Sequence, residues 1–213
     1  MKRRISLRSA WGKATITLPN TQLVSIEGDS DNAVYHAQGY ATGRLRLWPL
    51  DLTRRLASGR LSEVLGTSTL ATDRFQRSLS LRALAERAVD DPDNAAERSH
   101  LQAYVDGINQ VLAETKILPA EFIALGYRPQ AFSLVDVYLV AHLKYFINSA
   151  WQFELYHSLV TTALGSQRAA RLFSSMDEAG QIHPALPAGS ANEFGAALEE
   201  LLVSARSGLD KLG

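Results

Sequence analysis

The sequence predicts a mostly helical α+β chain with a short β hairpin at its head, and two observations carry that prediction. Only Lys13–Glu27, KATITLPNTQLVSIE, alternates apolar and polar residues with β-branched enrichment, around a Pro19-Asn20 turn. Beyond Asp31 almost every segment instead repeats its leucines and alanines at helix spacing, between recognisable caps and stops. The 213 residues, 46% of them hydrophobic, suffice for a real core and read as one domain over 1–213.

Asp29, Ser30 and Asp31 offer N-caps for a first helix through Ala33, Ala37 and Tyr40, and Pro49 is expected to kink or restart it near Trp48. From Leu50 the helix should turn Leu52, Leu56, Leu61, Val64 and Leu65 inward and Arg54, Arg55 and Arg60 mostly outward, ending at Gly66. A second helix is expected over Asp73–Val89 and a third over Asn94–Ala113, separated by an acidic turn at Asp90–Asp93. Leu118–Phe132 reads as a helical turn followed by a loop. Ser133 with Asp136 forms a capping box for one long apolar helix that stops at Gly165. A short helix over Gln167–Phe173, a Gly/Pro/Ser-rich loop and a last amphipathic helix over Asn192–Ala205 complete the chain, so that 174–213 is loop and C-terminal helix.

The gross composition excludes several functions. Lys and Arg balance Asp and Glu at 22 each, so nothing draws the whole chain to nucleic acid or anionic lipid. No cysteine is present, which removes disulfides and thiolate nucleophiles and leaves the compartment open. The opening MKRRISLRSAWGKATITLP is basic but lacks the apolar segment of about 7 to 15 residues that a signal peptide needs, so no export signal is visible. The most apolar window, Val137–Tyr156, is interrupted by His142, Lys144, Asn148, Gln152 and Glu154, and reads as a buried helix rather than a membrane span.

Self-sufficient catalytic motifs are missing from the sequence. No GxSxG elbow, Walker A loop or GxGxxG follows a predicted strand, and the histidines at 36, 100, 142, 157 and 183 form no metal-ligand pattern. Each is expected to satisfy a local hydrogen bond. Arg44, Arg46, Arg54, Arg55 and Arg60 could line an anionic partner; the favoured reading is that they lie over the core and pair with acids such as Asp51 and Glu63. Lys144 and Glu154 stand out as charges within the apolar window, where a charge has to be paired, hydrated or ligated.

Taken in order, Gly39-Tyr40 with Arg44-Leu45, then Asp51–Gly66 (DLTRRLASGRLSEVLG), Thr72–Arg87, Leu101–Asn109, Leu118–Asp136 and Ala163–Phe173 (ALGSQRAARLF), the chain resembles the α chain of the penicillin acylase family of N-terminal-nucleophile amidohydrolases. The resemblance implies an αββα fold completed by a β chain released from the same precursor by autoproteolysis. It also places the nucleophile, a serine at the start of that β chain, and the oxyanion-hole groups outside this sequence. No catalytic residue is therefore expected here. The family's acyl-pocket helix falls on Lys144, Tyr145, Phe146, Ile147 and Asn148, and its metal-site glutamate on Glu154, implying calcium shared with the β chain.

The implied function is that of the α subunit of a heterodimeric acylase hydrolysing an acyl–amine amide, its substrate a β-lactam, an acyl-homoserine lactone or an acylated natural product. Family members are often exported. Two alternatives remain: a non-catalytic helical partner-binding or structural protein derived from such an α chain, and an independent enzyme using Glu154 and His157 at i, i+3. Three departures accompany the resemblance. The family's Arg-Asp…Gly-Val-Pro-His-Ile head is replaced by LPNTQLVSIEGDSDN, Gly43 stands where an aspartate usually precedes Arg44, and Pro49 enters a run normally free of proline.

Overall fold

A computed structural model describes residues 3–18 and 23–173. The expected last helix over Asn192–Ala205, like the rest of 174–213, lies outside the described residues. The head of the chain is a three-stranded antiparallel sheet, β1 (Arg3–Ser9), β2 (Gly12–Leu18) and β3 (Ser25–Gly28), in that spatial order. The predicted hairpin is β2 with β3; β1 is an addition to the sequence reading. Its Ile5 and Leu7 pair with Ile16 and Ala14, and Ile16 pairs with Ile26, so one face of the sheet carries an apolar cluster. Directly opposed residues share a face, which is why this register buries Leu7, Ala14 and Ile16 together.

Nine helices follow among the described residues: α1 (Asp31–Ala57), α2 (Ser62–Leu65), α3 (Leu70–Ser78), α4 (Leu81–Asp90), α5 (Ala95–Glu114), α6 (Ala120–Ala124), α7 (Leu134–Asn148), α8 (Trp151–Leu164) and α9 (Ser166–Phe173). Of the three candidate caps, Ser30 is the one that bonds the Ala33 amide at 3.1 Å, while Asp29 accepts from the Lys13 amide and ties the helix start to β2. The kink falls at Arg46 (φ −140°, ψ 28°), one turn ahead of Pro49. Proline lacks the N–H that would bond the carbonyl four residues back, at Leu45, so the distortion lands in the preceding turn.

Chain contacts divide the protein into two compact units, 1–145 and 146–213. Within the first, α1 and α5 cross closely. A Cβ at Gly39 would collide with the Tyr104 carbonyl, and one at Gly107 with the His36 carbonyl, so both positions need glycine for the helices to approach. The sheet packs on this pair through Ala33, Ala37, Tyr40, Ala41 and Val111. A second cluster gathers Leu47, Val105, Ile108, Leu112, Phe122 and Phe132, and a third joins Ala57, Leu81 and Ala85 to Tyr138, Leu139 and Leu143 of α7. In the second unit the rings of Phe153, Tyr156 and His157 surround Phe173, at centroid distances of 5.7, 5.9 and 4.7 Å.

Several boundaries differ from the sequence reading for identifiable reasons. The helix expected over Asp73–Val89 is two, broken at Leu79-Ser80, with Ser80 left-handed at φ 54°. The Ser78 hydroxyl bonds the Phe75 carbonyl at 2.7 Å and so competes with the Leu79 amide, whose bond to the same carbonyl is long at 3.3 Å. The long apolar helix is likewise α7 and α8, separated at Ser149-Ala150, where the Ser149 amide and hydroxyl both turn back to the Phe146 carbonyl. It is not buried as a whole either: α7 buries Tyr138, Leu139 and Leu143, while no described residue of α8 is buried. Leu65, expected inside, is 40% exposed. The helix expected to run from Leu50 to Gly66 instead ends at Ala57, where Gly59 is left-handed at φ 62°, and restarts as α2. Gly66 and Gly165, both at positive φ, follow the ends of α2 and α8, and the Ser133–Asp136 capping box forms.

Candidate functional site

The end of α7 is set by its beginning. Asp136 accepts from the Ser133 amide and hydroxyl at 2.9 Å each, which fixes the first turn, and Tyr138, Leu139 and Leu143 anchor the next two in the third core cluster. The helix then leaves that core. Lys144, Tyr145, Ile147 and Asn148 are exposed, Tyr145 at 76% and Ile147 at 48%. Phe146 is half-buried and stacks on Trp151 at 5.0 Å with the rings 16° apart. The five positions are thus consecutive on one helix. The unit boundary falls between Tyr145 and Phe146.

Glu154 lies in the first turn of α8 and is exposed, its amide bonded to the Ala150 carbonyl at 3.0 Å. Calcium takes roughly six to eight oxygen ligands. Among the described residues no group of three or more His, Cys, Asp or Glu side chains is placed to hold a metal, so these residues do not by themselves make a calcium site around Glu154. His157, considered as its acid–base partner, instead packs its ring against Phe153 and Phe173. Elsewhere His100 stacks on Tyr35 and bonds Asn32, and His142 bonds the Tyr138 carbonyl, as local satisfaction requires. His183 lies outside the described residues. No described helix is long and apolar enough to cross a membrane.

The most developed polar constellation is one the sequence placed on the surface. Arg54 and Arg55 are not outward: both are buried, around a fully buried Asp51. Asp51 Oδ1 accepts from Arg54 Nε and Nη2 at 2.8 and 2.6 Å; Oδ2 accepts from Arg55 Nε at 2.9 Å and from the Tyr127 hydroxyl at 2.7 Å. The i, i+3 and i, i+4 spacing on α1 lets one carboxylate meet both guanidiniums. Arg54 goes on to the Gln130 and Ala131 carbonyls and lies over the Phe132 ring; Arg55 reaches Glu63 and lies over Tyr127.

Burial alone would push the Asp51 carboxyl up, but the Tyr127 hydroxyl and the two guanidiniums outweigh it and hold the group below the ordinary carboxylate range. Burial, with the adjoining Asp51 carboxylate, pushes the Tyr127 phenol up to about 12. Asp51 and Glu63 are the acids the sequence suggested as partners; Tyr127, which closes the network, carried no local signal. Arg54, Arg55 and Tyr127 all donate to other protein groups, which is the arrangement of a structural core rather than of a reaction centre.

Fold and site together define a helical scaffold chain whose buried polar core fastens the end of α1 to the 127–136 segment. The same fold occurs in a thermostable penicillin G acylase from Alcaligenes faecalis: TM-score 0.57, 20% identity, 88% of this chain and 98% of that one covered. Over 206 residues, 96% of its length, the sequence is 30% identical to the penicillin acylase 2 proenzyme of Pseudomonas sp. (strain SE83), and over 149 residues 31% identical to the acyl-homoserine lactone acylase QuiP of Pseudomonas aeruginosa. Residues 13–197 match the penicillin amidase family model. The chain belongs to the penicillin amidase family. It spans about a quarter of the first of these relatives, 24%, and covers 69% of its own length but 18% of the second.

Proposed function

We propose that this chain is the α-chain portion of an acylase that hydrolyses an amide between an acyl group and an amine. Its likeness to a penicillin acylase proenzyme over 96% of its length carries the reading. In it, a β chain supplies the serine whose hydroxyl attacks the acyl carbonyl, with its own α-amino group taking the proton; the amine leaves, and water releases the acid. The α chain's part is to shape the acyl pocket with Lys144, Tyr145, Phe146, Ile147 and Asn148. The exposure of four of these five side chains supports that assignment, since they stand where a second chain and a substrate can meet them.

Lys144 and Asn148 would favour an acyl group with a polar function, and the names of the relatives make penicillins and acyl-homoserine lactones the first substrates to try. Glu154 would give one oxygen ligand to a calcium whose remaining ligands come from the β chain. The test is co-expression with the β coding region. The reading expects two associated chains, a β chain beginning with serine, and acyl release from an amide panel whose order of preference changes in Lys144→Ala and Asn148→Leu. Chains that do not associate would overturn it. Unchanged calcium content in Glu154→Ala would overturn the metal role alone.

A further inference from the structure

Two cavities flank the buried arginine core, and neither is lined by the candidate acyl-pocket positions 144–148. The first, about 190 Å³, is lined by Arg54, Arg55, Arg60 and Arg82, with Asp136 the single acid among the described residues that line it. The second, about 480 Å³, runs beside Ala57, Leu81 and Gln76. Ser58, Arg60 and Arg82 line both, so the two form one groove between the end of α1, α3–α4 and the 130–136 segment.

The groove holds donors and an acceptor that the fold leaves open. Among the described residues, Arg55 engages Nε with Asp51 and Nη1 with Glu63, leaving Nη2; Arg60 engages Nε and Nη2 with Glu63, leaving Nη1; and Arg82 engages only Nε, with Glu86, leaving both terminal nitrogens. In the second cavity, which Arg60 and Arg82 also line, Gln76 is 8% exposed, and its Oε1 is buried with no hydrogen-bond partner among the described residues. A buried acceptor left unpaired is costly, and guanidinium N–H groups converging on a cavity match an oxyanion.

We propose that this groove binds a carboxylate carried next to an amide, the group found at a peptide C-terminus or in an acyl amino acid. The carboxylate sits on the open nitrogens of Arg55, Arg60 and Arg82, and the ligand's N–H donates to Gln76 Oε1. A carboxylate is favoured over phosphate because Asp136 in the lining, with Glu63 and Glu86 on the same arginines, would repel a second negative charge. The proposal does not depend on the acylase reading, and its test needs no β chain.

The chain is titrated with acetate, N-acetylglycine, N-acetylglycinamide and inorganic phosphate at constant ionic strength set with chloride, and binding is read by calorimetry or amide chemical shifts. Saturable binding is expected in the order N-acetylglycine, acetate, N-acetylglycinamide, with phosphate below N-acetylglycine. Arg82→Ala breaks only an exposed pair with Glu86, so it should fold; it should weaken both carboxylates about tenfold, the size of one lost charged hydrogen bond. Arg87→Ala, on the same helix but outside both cavities, should leave them unchanged. Gln76→Leu should abolish the advantage of N-acetylglycine over acetate while keeping acetate binding. Acetyl-triglycine binding more tightly than N-acetylglycine would support a peptide source, and equal binding a free acyl amino acid. Carboxylates no better than chloride, tighter binding of phosphate, or an Arg82→Ala chain that titrates like its parent would each overturn the proposal.

Discussion

Asp51→Asn should be among the most damaging conservative changes in the chain. The substitution keeps the volume of a fully buried side chain but removes its charge, and it turns one oxygen that accepts into an amide that donates. If the carbonyl oxygen faces Arg54, the new amide faces Arg55 Nε and the Tyr127 hydroxyl, which approach Oδ2 at 2.9 and 2.7 Å. Breaking a buried ion pair by removing one partner costs about 3–5 kcal/mol. The low end applies, because Arg55 keeps Glu63 at 3.0 Å and Arg54 keeps two carbonyls and Asp136 at 3.5 Å. A loss of about 3 kcal/mol corresponds to a melting temperature lower by about 6–12 °C for a chain of this size. Tyr127→Phe, which removes one neutral donor and leaves the guanidiniums in place, should cost about 1.5 kcal/mol. Urea unfolding followed by circular dichroism measures both. An Asp51→Asn chain within 1 kcal/mol of the parent at an unchanged m value would show that the cluster does not hold the end of α1 to the 127–136 segment.

Two further perturbations test other parts of the frame. Gly107→Ala gains about 1 kcal/mol of helix propensity but drives a Cβ into the His36 carbonyl, which cannot yield as a side-chain tip would; a net loss of about 2 kcal/mol or more is expected in urea unfolding. Burial lowers the pKa of His36, against the opposing pull of Asp106, so the unfolded chain takes up the proton first: stability is full above about pH 6.5 and falls as the pH drops toward the lowered folded value. His36→Gln should flatten unfolding free energy against pH between about 7 and 5.5, whereas the loss owed to Asp51 begins only below about pH 4.

What could be read from the sequence was whatever short-range pattern decides. Helix periodicity located α1, α5 and α9, and single residues fixed ends wherever one residue is enough, as at Ser30, Gly66, Ser133 and Gly165. Pattern failed where a break has to compete with continued periodicity. At Ser80 and Ser149 the apolar repeat runs straight through, and only a hydroxyl turned back on its own helix marks the interruption. Strand β1 is hidden for another reason: Ile5 and Leu7 do alternate with polar residues, but among Lys2, Arg3, Arg4 and Arg8 the pattern reads as a basic leader. Arg54 and Arg55 were placed outside because arginine usually is. Their inward turn depends on Tyr127 and the 130–131 carbonyls, more than 70 positions away, and no local window contains them. The candidate acyl-pocket positions were legible only as motif, since no chemistry within the described chain singles them out.

The departure at Gly43 gains a physical meaning at the helix crossing. Gly43 is buried, and a Cβ there would lie 3.3 Å from both Ile108 Cα and Val111 Cβ, tight but short of a collision. An aspartate at this position would bring a carboxylate into the α1–α5 contact, where it would need a partner of its own. This chain brings the helices together and places the acid on the other one. The Tyr40 hydroxyl donates to Glu114 of α5 at 2.8 Å; burial and Glu114 raise its pKa, and the nearby Arg44 opposes them. Arg44 and Glu114 thus act on the same Tyr40 hydroxyl from the two helices. Gly43 so lets α1 and α5 approach, and the Tyr40–Glu114 bond joins the two helices one turn away.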